Sequence, residues 1–410
     1  MRKSIWIIAA GLAIGLFGFR GIARSLDDSL KDFAAPFAGT RLFWQGDNPY
    51  DSDSLAAALE QAGASSPAHT PAVYPPVSFL ALTPLAFLPV PAAKTAVVLL
   101  GLTMLAAGSW LWMQTVNVPR ASGLALGLFV FASAPLHTAI WVVNPALLAC
   151  GAVLFGSALI ERKHHRWGGF ILLWALLIKP QIGAAGVGWC LLTDRRLAGI
   201  SMSLIWAGLL GLALWKLQLS APDALDGWRT NLTDESTSGS ISASASLGMQ
   251  RIDPAGLWHA ITGAELMTVA QVTFAGVVVL WGIRWPKQNA TTSIDSLRIL
   301  AIIGIGLLLS GYHRAYDALL LIPLGLWVAA SRDVPKPGPV WALIGTAFLW
   351  IMPGGGFWWK LGQLEPFAQF SIVDSGIWHL GLMRLHCWAL LLAAVMAVRL
   401  TYLKSATSTE

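Results

Sequence analysis

Apolar runs long enough to cross a bilayer alternate with short polar intervals along almost the whole chain. A bilayer's hydrocarbon core needs about 20 mostly apolar residues in a helix. The alternation predicts spans at about residues 4–20, 92–113, 121–138, 141–160, 197–219, 266–285, 296–311, 317–331, 339–352 and 384–403, several of them shorter than that measure. Three longer intervals stand apart. Residues 21–91 form a first loop with amphipathic helices, ending in a Pro-rich apolar stretch (77–90) too short to span and read as lying on the surface. Residues 220–264 and 353–383 form two further loops, the former with a Ser-rich low-complexity tract at 236–246. The prediction is an all-α polytopic membrane protein with about 10 full spans, one integral domain over residues 1–410.

Composition and charge turn this pattern into a topology. Only 12% of the 410 residues are charged against 56% hydrophobic, and mean hydropathy is +0.63. Disorder and nucleic-acid binding both need a charge-rich surface, so both classes are excluded. Twenty-one tryptophans suit the two headgroup levels of a bilayer. Cytoplasmic loops collect Lys and Arg, and here the basic clusters fall near Arg120, at Arg162-Lys163-His164-His165-Arg166, at Arg284 and Lys287, and at Lys404. That distribution puts both termini in the cytoplasm, with the first apolar run retained as a helix. Cys150, Cys190 and Cys387 all lie in apolar runs, so no disulfide framework or metal cluster is expected.

One stretch does not fit a simple span. About 28 residues, mostly apolar, separate Arg166 from Arg195-Arg196, and one span would put a basic cluster on the wrong side. A broken, re-entrant hairpin resolves this, with 168–178 rising, Lys179-Pro180 turning and 181–193 descending. Proline removes a helical hydrogen bond, and irregular backbone at membrane depth is tolerated only against protein or a cavity. Lys179 then stands at the tip. It either snorkels or faces an anion, and a phosphate is the natural partner.

The other chemistry-bearing residues concentrate in the outer loops. Residues 21–75 hold seven acids, among them Asp27, Asp28, Asp32, Asp47, Asp51 and Asp53. Asp32, just beyond the first span, is placed to act as a general base at the membrane surface. Asp51 reads as the N-cap of a helix starting at Ser52, and Gly46-Asp47-Asn48-Pro49-Tyr50 as a turn. Tyr74, before Pro75-Pro76, either lines a ligand groove or belongs to a rigid entry into the next helix. Asn144, before Pro145, either hydrogen-bonds a ligand or caps the following helix. The densest cluster is Tyr312-His313-Arg314-Ala315-Tyr316-Asp317 between two leucine-rich runs. Arg314 and Asp317 either form an i,i+3 ion pair, or Asp317 orients His313 or Arg314 to donate to a phosphate oxygen. Asn231-Leu232-Thr233 matches a glycosylation sequon by pattern alone. P-loop, Rossmann and nucleophile-elbow patterns are missing from the sequence, so nucleotide-driven chemistry has no support.

Taken in order, these pieces resemble the GT-C glycosyltransferases, most closely glycosyltransferase family 87 with its polyprenyl-phosphate-mannose-dependent mannosyltransferases. They are Asp32-Phe33, Gly46 to Asp51, Val73-Tyr74-Pro75-Pro76, Asn144-Pro145, Ile178-Lys179-Pro180-Gln181 before Asp194-Arg195-Arg196, and Tyr316-Asp317 before Leu319 to Pro323. The resemblance implies a GT-C-like fold and a catalytic aspartate in the first extracytoplasmic loop, which falls on Asp32. It implies a polyprenyl-phosphate sugar donor, mannose or another hexose or a pentose, and inverting transfer without a nucleotide sugar or other cofactor. The acceptor is a glycolipid, polysaccharide or protein of the envelope, approached from the outer face of a bacterial plasma membrane by a monomer. His313 joins Asp32 as a catalytic candidate, Lys179 and Arg314 as donor-phosphate ligands, and Tyr74, Asn144, Tyr316 and Asp317 as binding or orienting residues. Pro36-Phe37 departs from the family by interrupting the helix that follows the aspartate. The alternatives are a lipid-linked-sugar flippase or carrier, or a ligase-like transferase with a diphosphate donor.

Overall fold

A computed structural model describes residues 2–26, 30–64, 72–236, 252–262, 268–284, 292–310, 313–331, 361, 363–364, 378 and 384–406. Among these residues the regular structure is helical, as the apolar runs predict. The expected span at 339–352 and nearly all of the Ser-rich tract at 236–246 and of the 353–383 loop lie outside them, as do Asp27, Asp28 and Tyr312.

In chain order the helices are α1 (Arg2–Leu16), which continues as a wider π turn to Ala23, α2 (Ala34–Gln45), α3 (Ser52–Gln61), α4 (Pro76–Ala86) and α5 (Val90–Thr115). Then come α6 (Arg120–Phe131), α7 (Ala134–Trp141), α8 (Ala146–Glu161), α9 (His165–Ile178), α10 (Pro180–Leu192), α11 (Arg196–Ser220) and α12 (Ala224–Ser236). Among the described residues there follow α13 (Pro254–Thr262), α14 (Thr268–Arg284), α15 (Ser293–Leu309), α16 (Ile322–Ala330) and α17 (Leu385–Ala406). Contacts group them into two compact units, Met1–Thr115 with Leu136–Glu235, and Val116–Pro135 with Ser236–Glu410.

In the first unit, glycines let helix backbones approach closely, the usual device where hydrophobic contrast with lipid is lacking. A Cβ on Gly108 would meet the Phe155 nitrogen at 2.6 Å, and one on Gly151 the Gly101 carbonyl at 2.8 Å. These pairs rise together along α5 and α8, so the two helices run parallel. Gly156 faces Gly168 and Leu172, which makes α8 and α9 antiparallel. Gly183 and Gly186 face Leu176 and Leu172, closing α9 and α10 into a hairpin, and Gly199 against Leu191 turns α11 back again. In the second unit, Gly306 packs on Val279 between α14 and α15, and Gly325 on Leu126 between α6 and α16.

Helix lengths depart from the expected spans. Among the described residues, Val90–Thr115 and Arg196–Ser220 are long and apolar enough to cross a membrane. The stretch predicted at 121–138 is broken between Phe131 and Ala134. α8 has 16 residues, about 24 Å at 1.5 Å per residue. It is buried on most sides, so neighbouring helices rather than lipid satisfy its surroundings. The apolar helices mark a membrane protein all the same.

Two local expectations change. The Pro-rich segment after Tyr74 is not a surface helix, because Pro76, Val77, Ser78, Phe79, Leu82 and Leu85 of α4 are buried. Its Phe79 ring packs on Phe43 of α2, and its Ala81 carbonyl accepts from Trp174 Nε1 of α9. Nor do Pro36 and Phe37 interrupt the helix after Asp32. Pro36 sits in the first turn of α2, where its missing N–H has no intrahelical partner to lose.

Candidate functional site

Asp32 lies in a tight turn (Lys31–Phe33) ahead of α2 and is half-buried. Its backbone N–H donates to the Val142 carbonyl at 3.0 Å. Asn144 Nδ2 donates to its Oδ2 at 2.8 Å. The same asparagine accepts from the Ala146 N–H at 2.8 Å through Oδ1, so one side chain caps α8 and holds the carboxylate. Of the two roles left open for Asn144, the cap is present through Oδ1, and the amide N–H is given to Asp32. Asn144 is 2% exposed.

The backbone around this pair is strained. Lys31 has φ 44° and Val143 has φ 50°, each beside one member of the pair. A β-branched residue at positive φ is a genuine outlier, and such residues cost about 1–3 kcal/mol unless the surroundings hold them. Here they are held. Lys31 Nζ donates to the Arg24 and Trp141 carbonyls at 3.1 and 3.3 Å, and the Arg24 guanidinium lies 3.6 Å from the Trp141 ring centroid. Val143 is fully buried.

Lys179 occupies the break between α9 and α10, as the sequence predicts. Its backbone leaves the helical region, at φ −145°, ψ 89°, as the residue before a proline is disposed to do. Its carbonyl accepts from both Ile182 and Gly183, starting α10. The side chain is buried. Each arm of the hairpin, 14 and 13 residues, is nearly as long as α8. Carrying the antiparallel α8–α9 register on from Gly156 and Leu172 brings Lys179 level with the first turn of α8. Asn144 and Asp32 stand at that same end. The fold thus gathers Asp32, Asn144 and Lys179 at one end of the α8–α10 group.

Tyr74 belongs to a second cluster. Its carbonyl accepts from the Tyr50 hydroxyl at 3.0 Å, and Trp228 Nε1 donates to the Val73 carbonyl at 3.2 Å. Buried Asn231 donates to the Tyr50 and Ala72 carbonyls, so the asparagine of the sequon ties α12 to the first loop. Burial pushes the Tyr50 phenol above its ordinary pKa. The Asp51 carboxylate accepts from the Ser54 N–H at 2.8 Å as the predicted N-cap, and hydrogen bonds from the Ser54 side chain and then from that N–H hold its pKa below the ordinary aspartate value. Gly46 closes α2 with φ 89°, beginning the predicted turn.

The other dense constellation lies in the second unit. Asp317 Oδ2 stands 3.1 Å from His313 Nδ1 and accepts the Arg314 backbone N–H at 3.1 Å. Of the options the sequence leaves open, Asp317 thus engages the histidine ring. Tyr316 is buried on the same turn, and Arg314 is half-buried. Asp253, which sequence reasoning passed over, also holds His313: its Oδ2 accepts the His313 N–H at 3.2 Å. The available signal was an acid directly before Pro254, the pattern of an N-cap followed by proline at the first helical position. Among the described residues, no three His, Cys, Asp or Glu side chains group to hold a metal ion.

With this geometry in place, comparison with known families gives a match to the model of glycosyltransferase family 87 over residues 72–311. The chain belongs to glycosyltransferase family 87. No curated protein and no solved structure matches it. The part matched to family 87 contains Tyr74, Asn144, Lys179 and Asp253. It starts after Asp32 and stops just before His313. Membership makes the protein a glycosyltransferase, with the Asp32–Asn144 contact joining a residue outside the matched segment to one inside it.

Proposed function

We propose that the protein moves a hexose, mannose foremost, or a pentose from a polyprenyl-phosphate donor to a glycolipid, polysaccharide or protein acceptor of the cell envelope. Transfer takes place on the extracytoplasmic side of a bacterial plasma membrane and inverts the anomeric carbon, with the lipid-phosphate sugar as co-substrate and no cofactor. The observation that carries this reading is the half-buried Asp32 carboxylate, its Oδ2 held at 2.8 Å by Asn144, in a family 87 glycosyltransferase.

Asp32 takes the proton of the acceptor hydroxyl. The freed oxygen forms a bond to the anomeric carbon as the bond to the phosphate oxygen breaks, and the polyprenyl phosphate leaves with the electron pair. Asn144 restricts the carboxylate to one orientation, so the acceptor is met without reorganisation. Lys179 is assigned to the charge that grows on the departing phosphate, with His313 and Arg314 as further donors to phosphate oxygen.

Asp32→Asn tests the reading, because the amide keeps the shape of the side chain and can still accept from Asn144 but cannot take a proton. Loss of a general base lowers rates by about 10²–10⁴-fold. Purified Asp32→Asn should lose transfer of labelled sugar to that extent while still binding donor. Full activity overturns the assignment, and movement of donor across vesicles without a glycosylated product would favour a carrier.

A further inference from the structure

His313 is held at three points, its N–H, its carbonyl and its ring Nδ1. Its backbone N–H donates to Asp253 Oδ2 at 3.2 Å, and its carbonyl accepts from the Ile252 N–H at 3.0 Å. Its Nδ1 lies 3.1 Å from Asp317 Oδ2. His313, Asp253 and Asp317 are 2%, 0% and 1% exposed. An ionised carboxylate only accepts, so Nδ1 carries the proton shared with Asp317. One polar atom of His313 is then left for a ligand, ring Nε2, which donates to an anion when the ring is the imidazolium.

Asp253 is itself fixed from two sides. Its Oδ1 accepts the Ala255 N–H at 3.1 Å, capping α13, and its carbonyl accepts from the Cys387 thiol at 3.4 Å, reaching α17. One carboxylate therefore joins the start of α13 to the backbone of His313, and its own main chain to the C-terminal helix. A histidine whose ring and backbone are both held by buried acids has one available orientation, the arrangement that positions a working side chain through its supporting contacts.

We propose that Asp253 is a positioning residue for the transfer reaction, holding His313 so that Nε2 is presented to the donor phosphate. The proposal rests on the reading that His313 donates to that phosphate. Asp253 acts only through the histidine and touches no substrate itself. If it merely capped α13, any capping residue would replace it.

Two substitutions separate these roles. Asp253→Ser keeps an oxygen able to cap α13 but is too short to reach the His313 N–H. Asp253→Asn keeps the length but offers one acceptor oxygen for two N–H groups. The full-length protein, purified in detergent, is assayed with whichever labelled polyprenyl-phosphate mannose or arabinose donor the wild type uses, with a cell-envelope extract as acceptor. Both variants should lose about tenfold in kcat, equivalent to about 1.4 kcal/mol. In a His313→Gln background each should add less than a twofold further loss, since coupled residues are non-additive. Full activity in Asp253→Ser, or losses that multiply with that of His313→Gln, would reduce Asp253 to a helix cap and overturn the proposal. Should Asp253→Asn not fold, the Asp253→Ser cycle decides alone. His313→Gln with wild-type activity would remove the reading of His313 and this proposal with it. Loss in His313→Gln with additive Asp253 effects would remove only the latter.

Discussion

Replacing Asn144 by aspartate exchanges one donor for an acceptor at the atom facing Asp32 and changes little else. The wild-type amide donates to Asp32 Oδ2 at 2.8 Å and accepts from Ala146 N–H at the same distance. The introduced carboxylate retains the second contact, so α8 stays capped. The first becomes an encounter of two carboxylate oxygens, which repel or must share a proton. A hydrogen bond to a charged group contributes about 1.5–3 kcal/mol. If that contact serves mainly to hold the base for reaction, its loss lowers the rate by about 10- to 100-fold, at one factor of ten per about 1.4 kcal/mol. Asn144→Ala loses both contacts, and its missing cap costs a further ~1 kcal/mol of stability. The assay pairs initial rates of sugar transfer with thermal unfolding in detergent. The expected result is Asn144→Asp at least as inactive as Asn144→Ala, with the unfolding temperature lowered more in the alanine variant. An active Asn144→Asp would refute the reasoning, because the bond to Asp32 would then have no part in the reaction. Rates that simply followed unfolding temperature across the two variants would refute it equally.

Other consequences follow from single residues. Lys179→Ala should raise the KM for a polyprenyl-phosphate donor by about 10-fold or more, as expected when a charge-assisted contact is lost, and an unchanged donor dependence would mean that the lysine only snorkels. Gly183→Ala would place a Cβ 2.2 Å from Leu176 Cα, backbone that cannot rotate away, so the hairpin must part. Overpacking of this kind costs about 1–3 kcal/mol or more, to be read as a lower unfolding temperature, whereas Gly169→Ala, with nothing within 4 Å inside α9, should raise it slightly, alanine being the better helix former by about 1 kcal/mol. The Asp51 pKa is lowered by the Ser54 bonds, so its contribution is present above the ordinary aspartate pKa and is lost as pH falls through the lowered value. An acid titration of stability should show a step in wild type that is missing in Asp51→Asn, and identical acid limbs would deny the cap its role.

The sequence was most readable where chemistry is scarce. A carboxylate or ammonium is expensive in an apolar chain, so Asp32, Lys179 and the His313–Asp317 run stand out against their neighbours without any coordinates. The Lys179-Pro180 break was legible for a local reason as well, since proline restricts the residue before it. Burial was less legible. α4 reads as a surface segment because its prolines and short length are visible, while the aromatic partners that cover it, Phe43 and Tyr50, come from another part of the chain.

What the sequence determines by itself is the solvent the chain must suit, the helical character of its apolar runs and the few places where charge is retained. Those properties are local, set by residue type and by the period of a helix. Tertiary structure alone decides which retained groups meet. Asn144 reaches Asp32 across 112 residues, and Asp253 reaches His313 across 60. Both pairings depend on helix ends brought together by packing. In the first unit glycine contacts set how deep each helix sits and hence which turn lies opposite which, and hydrophobic periodicity carries no record of that register.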